Sequence, residues 1–458
     1  MFTLDEILLR ASTHPMYAHL LGDNHRNNEG ESKIRLDDFP TVDKAHLISG
    51  FAKLLETDPT ALHAAYLSPT GGTRWGSKQL YFVSDARENR LQRVEHAERV
   101  LRTLGVFTPT DIVVNLHGAG SMYRSLDLIG ALIEYSGATD LSVGVVTTYD
   151  PVVLFTELFR ANVVTGTASR VLEFAEYIAA HPEHFSKVAT LTKVVYTSET
   201  MTRPQELFLR RVLKNVEWVA SIYGSAEAGP WAATKPQRDV QPEIREWNEF
   251  VFDSELMVVE IMDPDGSTVL ADSRAINTGG PDVEPEDSGS VGEIVLTSLS
   301  RARNPLVRYR TGDLGSLSRY VSPDAEGGSS SSLCCLRFRG RAPEKSFDLD
   351  GDYMDVAEFQ QRVFSKTEYR VIEWQVIIDS FGEAGCKIRL EFRVVAEGGD
   401  EGRQEWEEKV QKDIVDNVVG PQIQVVVRKV DYTQLERGKV ARKVVKVLDR
   451  RAGRIAGQ

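Results

Sequence analysis

A glycine-rich segment near residue 70 contains the residue types that bind phosphate. The segment Ser68–Lys78 reads SPTGGTRWGSK, with adjacent glycines, threonines on both sides of them and a terminal lysine. Glycines let backbone N–H groups approach phosphate oxygens, and threonine hydroxyls can donate hydrogen bonds to them. The segment does not match the GxxxxGK(S/T) pattern of nucleotide-binding P-loops, so a purely structural turn stays open as an alternative.

Two further segments place polar side chains directly after apolar runs. They are IYGSAEAG at Ile222–Gly229 and PLVRYRTGDLG at Pro305–Gly315. Open α/β sheets bind ligands beyond the carboxyl ends of their strands. Tyr223 could stack on a planar base, Glu227 could hold a magnesium ion, and the Asp313 carboxylate could accept both hydroxyls of a ribose.

Basic residues and histidines are less informative by themselves. The runs RGRAPE (Arg339–Glu344) and LERGKVARK (Leu435–Lys443) contain charges that would ordinarily be solvated. His117, in VVNLHGAG after a strand-like run, could be a structural residue or could line a pocket. His181 and His184 are interrupted by Pro182 and have no third ligand within sequence reach, so we reject a zinc site there.

Composition bounds the class of protein. The chain has 458 residues, of which 41% are hydrophobic and 26% charged, and it carries a formal net charge of −13. This acidity argues against nucleic-acid or anionic-membrane binding, and three cysteines cannot form a disulfide framework. With no secretory leader at MFTLDEILLRAS, we expect a cytoplasmic protein, monomeric or homodimeric.

Hydrophobic periodicity predicts an α/β fold in two parts. Residues 1–60 predict helices that cap the fold, and strands and helices then alternate as in a doubly wound sheet, with Ser142–Thr147 among the predicted strands. A strand-rich region follows Glu227. A low-complexity stretch at Ser322–Ser332 precedes a small α+β region, so we expect an N-terminal domain at 1–340 and a C-terminal domain at 341–458.

Taken together and in this order, these segments resemble the adenylate-forming superfamily of acyl-CoA synthetases, adenylation domains and luciferases. Within it the chain looks like the phenylacetate-CoA ligase branch. The segments that carry this resemblance are LRASTHPMY, DDFPTVDKAHL, VVTGTASRVL, VVYTSETMT, VVEIMDPDG, GEIVLTSL and NPLVRYRTGDLG. The resemblance spans most of residues 8–443.

The resemblance implies ATP and Mg²⁺ as cofactors and assigns roles to particular residues. Tyr223 would stack on adenine, Glu227 would bind magnesium, and Lys439 would contact the reacting carboxylate and the α-phosphate. The acyl pocket would be formed by 117–125, 196–202 and 223–231. The remaining candidates are Thr70, Gly71, Gly72, Thr73 and Lys78 for phosphate; Gly224, Ser225, Asp313 and Arg341 for the rest of the nucleotide; and His117, Ser198 and Glu199 for the substrate.

The expected reaction activates a carboxylic acid, preferably an aryl or apolar one, as an acyl-adenylate and then transfers the acyl group to CoA. Transfer to an amine, a carrier protein or another acceptor is an alternative. Two departures from the family pattern, Arg74–Ser77 in the phosphate loop and Pro343 at the implied pivot Ala342–Glu344, motivate a third alternative. In that case the chain would bind nucleotide or acyl-adenylate without turnover.

Overall fold

The computed structural model describes residues 1–21, 34–69, 81–120, 122–238, 248–263, 266–277, 290–320, 332–341, 347–349, 352–354, 359–380, 388–399, 401–416, 423–437 and 444–451. The first of these ranges form helices and a short hairpin. Within the described residues, no helix has the length and apolar character that crossing a membrane requires. The N-terminal elements are α1 (Leu4–Thr13), α2 (Lys44–Thr57), β1 (Ala65–Pro69), β2 (Tyr81–Asp85) and α3 (Ala86–His96).

Alternating strands and helices then build the parallel half of a large sheet. Each strand except the last is followed by a helix, and neighbouring strands in this half pair in parallel. The elements are β3 (Ile112–Asn115), α4 (Ser125–Tyr135), β4 (Thr139–Ser142), α5 (Asp150–Phe159), β5 (Val163–Thr167), α6 (Ala168–Ala180), β6 (Lys193–Thr197), α7 (Arg203–Val212) and β7 (Trp218–Ser225).

The strand-rich region continues the same sheet with antiparallel pairing. Twelve described strands run in the order β11-β10-β12-β13-β14-β9-β8-β7-β6-β5-β3-β4, so β7 joins the two halves. The additional elements are β8 (Gly229–Ala233), β9 (Asn248–Asp253), β10 (Met257–Met262), β11 (Val269–Asp272), α8 (Ser273–Asn277), β12 (Gly292–Ser298), β13 (Tyr309–Arg319) and β14 (Leu333–Arg341).

Alternating side chains of the parallel strands are buried on opposite faces of the sheet. Val113 and Val163 belong to the apolar cluster that contains α4, whereas Val114 and Val164 belong to the cluster that contains α5, α6 and α7. Successive strand residues point to opposite faces, so a strand covered by helices on both sides needs apolar residues at every position. This explains why these strands read as short, continuous apolar runs.

One strand boundary predicted from the sequence is wrong. The run Ser142–Thr147 is predicted as a strand, but β4 ends at Ser142 and residues 143–147 are not strand. The N–H groups of Val143 and Gly144 both donate to the Asn115 carbonyl, at 3.1 and 2.9 Å, and Gly144 has a φ of +75°. The chain therefore turns at Gly144, where glycine allows the left-handed conformation.

The C-terminal region forms a separate four-stranded sheet in the order β19-β18-β17-β20. Helix α9 covers it, and its core contains Phe359, Phe364, Trp374 and Phe392. A two-stranded hairpin precedes it. The elements are β15 (Phe347–Leu349), β16 (Asp352–Met354), β17 (Val371–Ser380), β18 (Ile388–Ala396), α9 (Arg403–Ile414), β19 (Gln424–Lys429) and β20 (Val447–Asp449).

A buried ion pair attaches the N-terminal segment to the antiparallel half of the large sheet. The Arg308 guanidinium donates to both carboxylate oxygens of Glu260, at 3.0 and 3.1 Å, and to the Phe39 carbonyl at 2.9 Å. The Glu260 side chain is 1% exposed, and burial raises the pKa of its carboxyl while Arg308 opposes that shift. Each charge of this pair is therefore stabilised by the other in place of water.

We expect Arg308→Met to lower the free energy of unfolding by about 3–5 kcal/mol, because it leaves the Glu260 carboxylate buried without the guanidinium that donates to both of its oxygens. Urea unfolding followed by intrinsic fluorescence measures the change. The control is Arg35→Met, which removes an exposed pair with Asp37 (73% and 56% exposed) and should cost no more than about 0.5 kcal/mol. Equal effects of the two substitutions would contradict the structural role of Arg308.

Candidate functional site

Two of the predicted nucleotide-binding residues are in contact, although 90 positions separate them. Tyr223, near the carboxyl end of β7, donates its hydroxyl to Oδ2 of Asp313 on β13 at a distance of 2.5 Å. Asp313 is buried, with 6% of its surface exposed. A hydrogen bond to an ionised carboxylate is stronger than one between neutral groups, so this contact fixes the tyrosine ring relative to the aspartate.

Aromatic side chains surround the Tyr223 ring. Its centroid lies 5.0 Å from that of Trp231, 5.2 Å from that of Phe250 and 5.4 Å from that of Phe338. Tilted aromatic pairs at these separations stabilise each other beyond their buried area. The partly buried Tyr223 is therefore held rigidly by the antiparallel half of the sheet.

The backbone around Asp313 is also held by specific hydrogen bonds. Thr311 Oγ1 accepts from the Asp313 N–H at 3.1 Å and donates to the Ile294 carbonyl at 2.8 Å. The Glu293 carboxylate accepts from the Gly312 N–H at 3.1 Å. Across the sheet, Asp313 pairs in register with Arg341 on β14, so the tertiary fold brings the backbones of these two predicted ribose-site residues together.

Gly224 and Ser225 lie at the turn between β7 and β8. A Cβ atom on Gly224 would be 2.5 Å from the Gly229 carbonyl oxygen and 2.8 Å from Pro230 Cα, so no larger residue fits. The exposed Ser225 accepts from the Ala228 N–H at 3.1 Å through its hydroxyl. The residue types of this turn are therefore explained by close backbone approach and by hydrogen bonding within the turn.

Glu227 is the buried acid of the same turn. Its side chain is 5% exposed, and its Oε1 lies 3.2 Å from Nζ of Lys44 on α2. A second cation lies nearby: Arg301 is 2% exposed, and burial lowers the pKa of its guanidinium to about 9, a shift that the negative charges of Glu227 and Glu88 oppose. Two cationic side chains therefore lie near the Glu227 carboxylate.

The donor set at Glu227 is compatible with magnesium bound together with a nucleotide. No group of three or more His, Cys, Asp or Glu side chains suited to a metal ion occurs in the described part of the chain. Magnesium bound with nucleotides usually takes only one or two carboxylates, and phosphate oxygens and water supply its remaining ligands. The single Glu227 carboxylate in the turn after β7 fits that requirement.

The predicted substrate-binding residues follow two strands of the parallel half, β3 and β6, which lie on either side of β5. His117 follows β3 and is 1% exposed, with its Nδ1 3.0 Å from the Ser125 hydroxyl. Ser198 and Glu199 follow β6, and Ser198 adopts a φ of +72°, which is uncommon for a residue with a side chain. Because β3 and β6 flank β5 in parallel, their carboxyl ends share one edge of the sheet.

Tyr123 connects these two groups of residues. Burial raises the pKa of its phenol, a hydrogen bond with Ser125 opposes the shift, and the negative charge of Glu199 adds to it. The His117 region and Glu199 are therefore close enough to interact electrostatically. A phenol and a buried imidazole therefore lie at this edge together with the Glu199 carboxylate.

The C-terminal sheet contacts the same edge. The Ser169 hydroxyl, on α6, lies 2.8 Å from Glu199 Oε2 and 3.0 Å from Oε2 of Glu373 on β17. The Ser169 N–H also donates to Glu199 at 3.0 Å, and Lys446 forms an ion pair with Glu373. Side chains of the C-terminal sheet therefore reach the predicted substrate-binding region.

Several predicted residues lie outside what the structure describes. Thr70, Gly71, Gly72, Thr73 and Lys78 lie within 70–80, and Lys439 lies within 438–443. The implied pivot Ala342–Glu344 and the side chain of Arg341 are outside the described part as well.

Lys44, Arg301 and Glu373 are charged residues near the site that sequence reasoning missed. Lys44 lies in the segment DDFPTVDKAHL, which carries the family resemblance but predicts no role for the lysine, and Arg301 lies four residues before Pro305. Charged side chains are usually exposed, and no local pattern shows which of them will lie near a distant site. Only the pairing of distant elements brings these residues to the site.

The chain resembles one curated enzyme along part of its length, and no protein-family model matches it. It is 25% identical over 301 residues to the indoleacetate–lysine synthetase of Pseudomonas savastanoi. The aligned region spans 64% of this chain and 64% of the relative, just under two thirds of each.

Solved structures resemble the chain over nearly its whole length. A 2-hydroxyisobutyryl-CoA ligase in the postadenylation state with 2-HIB-AMP gives a TM-score of 0.68 at 16% identity, covering 97% of this chain and 88% of the ligase. The same ligase with 2-HIB-AMP and CoA in its thioesterification state gives 0.57 at 15% identity, with 98% and 88% covered. The chain therefore has the fold of the adenylate-forming ligases, in agreement with the resemblance carried by its motifs.

Proposed function

We propose that this protein uses ATP to activate a carboxylic acid as an acyl-adenylate, releases pyrophosphate, and then transfers the acyl group to an acceptor. The observation that carries the proposal is the hydrogen bond between Tyr223 and Asp313. It joins a planar ring to the carboxylate proposed to bind ribose, and the buried Glu227 follows Tyr223 by four residues. His117 and Tyr123 lie at the edge of the same sheet.

In the proposed complex, adenine stacks on Tyr223 and the ribose hydroxyls donate to Asp313. Thr70, Gly71, Gly72, Thr73 and Lys78 bind the β- and γ-phosphates. Glu227 holds magnesium, which neutralises phosphate charge when it is bound. These assignments combine the contacts of Tyr223, Glu227 and Asp313 with the resemblance of the 68–78 segment.

The first reaction forms one bond and breaks another at the α-phosphorus. A carboxylate oxygen of the acid attacks this phosphorus, and the bond to the bridging oxygen of pyrophosphate breaks, so that pyrophosphate leaves with the electron pair. Lys439 lies against the carboxylate and the α-phosphate and offsets the charge that develops there. The other residues contribute by fixing the two reactants in line.

The acid is proposed to be aryl or otherwise apolar. Tyr123, Tyr196 and Trp231 lie in the three segments that would form the acyl pocket, and the last two are 7% and 2% exposed. Burial is the main cause that raises the pKa of both tyrosines, so both are neutral at physiological pH. Uncharged, largely buried aromatic side chains favour an apolar ligand.

In the second reaction, the acceptor attacks the acyl carbon and AMP leaves with the electron pair of the broken C–O bond. We propose CoA as the acceptor, whose thiolate forms a thioester. Rearrangement between domains at 1–340 and 341–458, about a pivot at Ala342–Glu344, would separate the two reactions. Pro343 restricts φ there and would limit the motion.

An amine is a second candidate acceptor, which would give an amide instead of a thioester. The similarity to an indoleacetate–lysine synthetase favours it. Binding without turnover remains a third outcome, motivated by Arg74–Ser77 and Pro343. The intact Tyr223, Glu227 and Asp313 favour turnover.

Exchange of labelled pyrophosphate into ATP, measured with aryl, fatty and amino acids, tests the proposal. We expect exchange with at least one aryl or apolar acid. The active acid is then supplied with either CoA or lysine, and mass spectrometry detects the thioester or the amide. A thioester supports CoA, and an amide alone replaces CoA by an amine. Absence of both exchange and ATP binding would overturn carboxylate activation.

We expect Asp313→Asn to raise the KM for ATP about tenfold or more in the exchange assay, because a neutral amide accepts ribose hydrogen bonds more weakly than a carboxylate. Tyr223→Phe keeps the ring and removes only the bond to Asp313, so a smaller rise of about threefold is expected. Glu255→Gln is the control, because Glu255 is 66% exposed and pairs with Arg99. An unchanged KM in Asp313→Asn would contradict ribose binding by this residue.

We expect Lys439→Ala to lower pyrophosphate exchange at least about a hundredfold, since a positive charge on the reacting oxygens is lost. Thioester or amide formation from a supplied acyl-adenylate should persist, because that reaction does not need this charge. Lys443→Ala is the matched control in the same basic run. Loss of both reactions in Lys439→Ala, or loss of exchange in Lys443→Ala alone, would assign the role to another residue.

A further inference from the structure

The two ends of the segment that contains Lys439 lie side by side. Residues 438–443 fall outside the described part of the chain, but Arg437 and Val444 on either side of them form an antiparallel bridge. The Val445 N–H donates to the Glu436 carbonyl at 3.0 Å. Lys439 follows Arg437 by only two residues, and successive Cα atoms are about 3.8 Å apart. Whatever fixes Arg437 therefore limits where Lys439 can be.

The side chain of Gln375 attaches this bridge to β17. Its amide nitrogen donates to the carbonyls of Glu436 and Val445, at 3.0 and 2.7 Å, and its carbonyl oxygen accepts from the Glu436 N–H at 3.2 Å. Gln375 is fully buried. Because a buried amide that loses these partners would be left unsatisfied, the base of the segment is fixed within the C-terminal sheet.

A second attachment joins Arg437 to the large sheet through α6. The Arg437 guanidinium donates to Oε2 of Glu173 at 2.6 Å, and Arg170 donates to the same oxygen at 3.0 Å. Arg437 and Glu173 are only 13% and 20% exposed. Limited solvent access strengthens such a pair relative to an exposed one.

Apolar side chains on both sides of Arg437 bury the same contact. Tyr432, Leu435 and Val444 belong to the apolar cluster that also contains Val171 and Ala175 of α6. These three residues are between 3% and 5% exposed. Residues on both sides of the 438–443 segment therefore pack on α6 through apolar contacts and through one charged pair.

The remaining charges around the pair make Arg437 the cation that balances an acidic surface. Glu176 also lies on α6, and its pKa is raised to about 7 by burial, by Asp431 and by Glu173, while Arg437 opposes the shift. Without Arg437, Glu173 would retain Arg170, but Glu176 would face Asp431 without the cation that now opposes the upward shift of its pKa. Repulsion between these acids would then oppose the packing of the segment on α6.

We propose that Glu173 and Arg437 are positioning residues, whose ion pair holds the base of the Lys439 segment against α6 while the acyl-adenylate forms. The proposal rests on the proposed function for the role of Lys439. Neither residue touches substrate. The pair links the base of the Lys439 segment to α6. It therefore has to be intact only for the reaction in which Lys439 acts. Transfer of the acyl group does not require it.

The test compares the two reactions in Glu173→Gln, Arg437→Met and the double variant. We expect each single substitution to lower kcat of pyrophosphate exchange about tenfold, with the KM for ATP unchanged within about twofold. The double variant should match the singles, because either substitution alone already breaks the pair. Transfer from a supplied acyl-adenylate should stay within about twofold of the wild type, and Arg437→Lys should recover most of the exchange activity.

Arg450→Met is the matched control. Arg450 forms an ion pair of the same length, 2.6 Å, with Glu436 in the same region, but this pair is about half exposed on both sides. It should leave exchange unchanged. Normal exchange in Arg437→Met, an additive loss of about a hundredfold in the double variant, or an equal loss of transfer would each overturn the proposal.

Hydrogen–deuterium exchange separates failure of this inference from failure of the proposed function. Amide exchange in peptides covering 423–437 and 444–451 should rise in Arg437→Met and stay at the wild-type level in Arg450→Met. This measurement needs no substrate, so it tests the attachment even if the wild type does not activate an acid. Unchanged amide exchange in Arg437→Met would overturn the attachment itself.

Discussion

The antiparallel pairing of β7 with β8 is the constraint on which the candidate site depends. On one side of β7, the loops that follow the parallel strands lie at one edge of the sheet. On the other side, the sheet continues through β8, β9 and β14 to β13, which carries Asp313. The register shifts between Tyr223 and Gly224, at the position where a Cβ atom would collide with the returning strand. β7 therefore carries Tyr223, whose hydroxyl reaches Asp313, and the turn after β7 contains the buried Glu227.

Several charged side chains of the molecule are buried. They are Glu227, Arg301, Glu260 and Arg308. Removing an ion from water is costly unless an opposite charge compensates for it. Arg308 and Glu260 compensate for each other fully through two hydrogen bonds. Around Glu227 the arrangement is more open, because Lys44 is 43% exposed. An exposed ammonium can move away at little cost, which suits a carboxylate that is proposed to hold magnesium.

The contact between α6 and the C-terminal sheet combines stability with specificity. Its apolar part, with Ile372, Val395 and Leu435 in the same cluster as α6 and α7, would hold many related arrangements equally well. Its polar part is selective, because Glu373 meets Ser169 and Arg437 meets Glu173 only in one relative placement of the two sheets. Hydrogen bonds and ion pairs lose energy steeply with distance and angle, whereas apolar contacts do not. The polar contacts therefore select the placement of the C-terminal sheet on α6 that the structure shows.

The sequence alone was sufficient for the fold class, for most of the strands and helices, and for Tyr223, Glu227 and Asp313 as candidates. These features are local: buried parallel strands are continuous apolar runs, and ligands bind where such runs end. The strand at Ser142–Thr147 was wrong because an apolar run does not reveal a turn that is set by hydrogen bonds to Asn115, on the neighbouring strand. Only the tertiary structure decided that Tyr223 contacts Asp313, that Lys44 and Arg301 lie near Glu227, and that Arg437 reaches Glu173. Each of these contacts joins residues far apart in the chain, and no local sequence pattern predicts which distant side chains will be in contact.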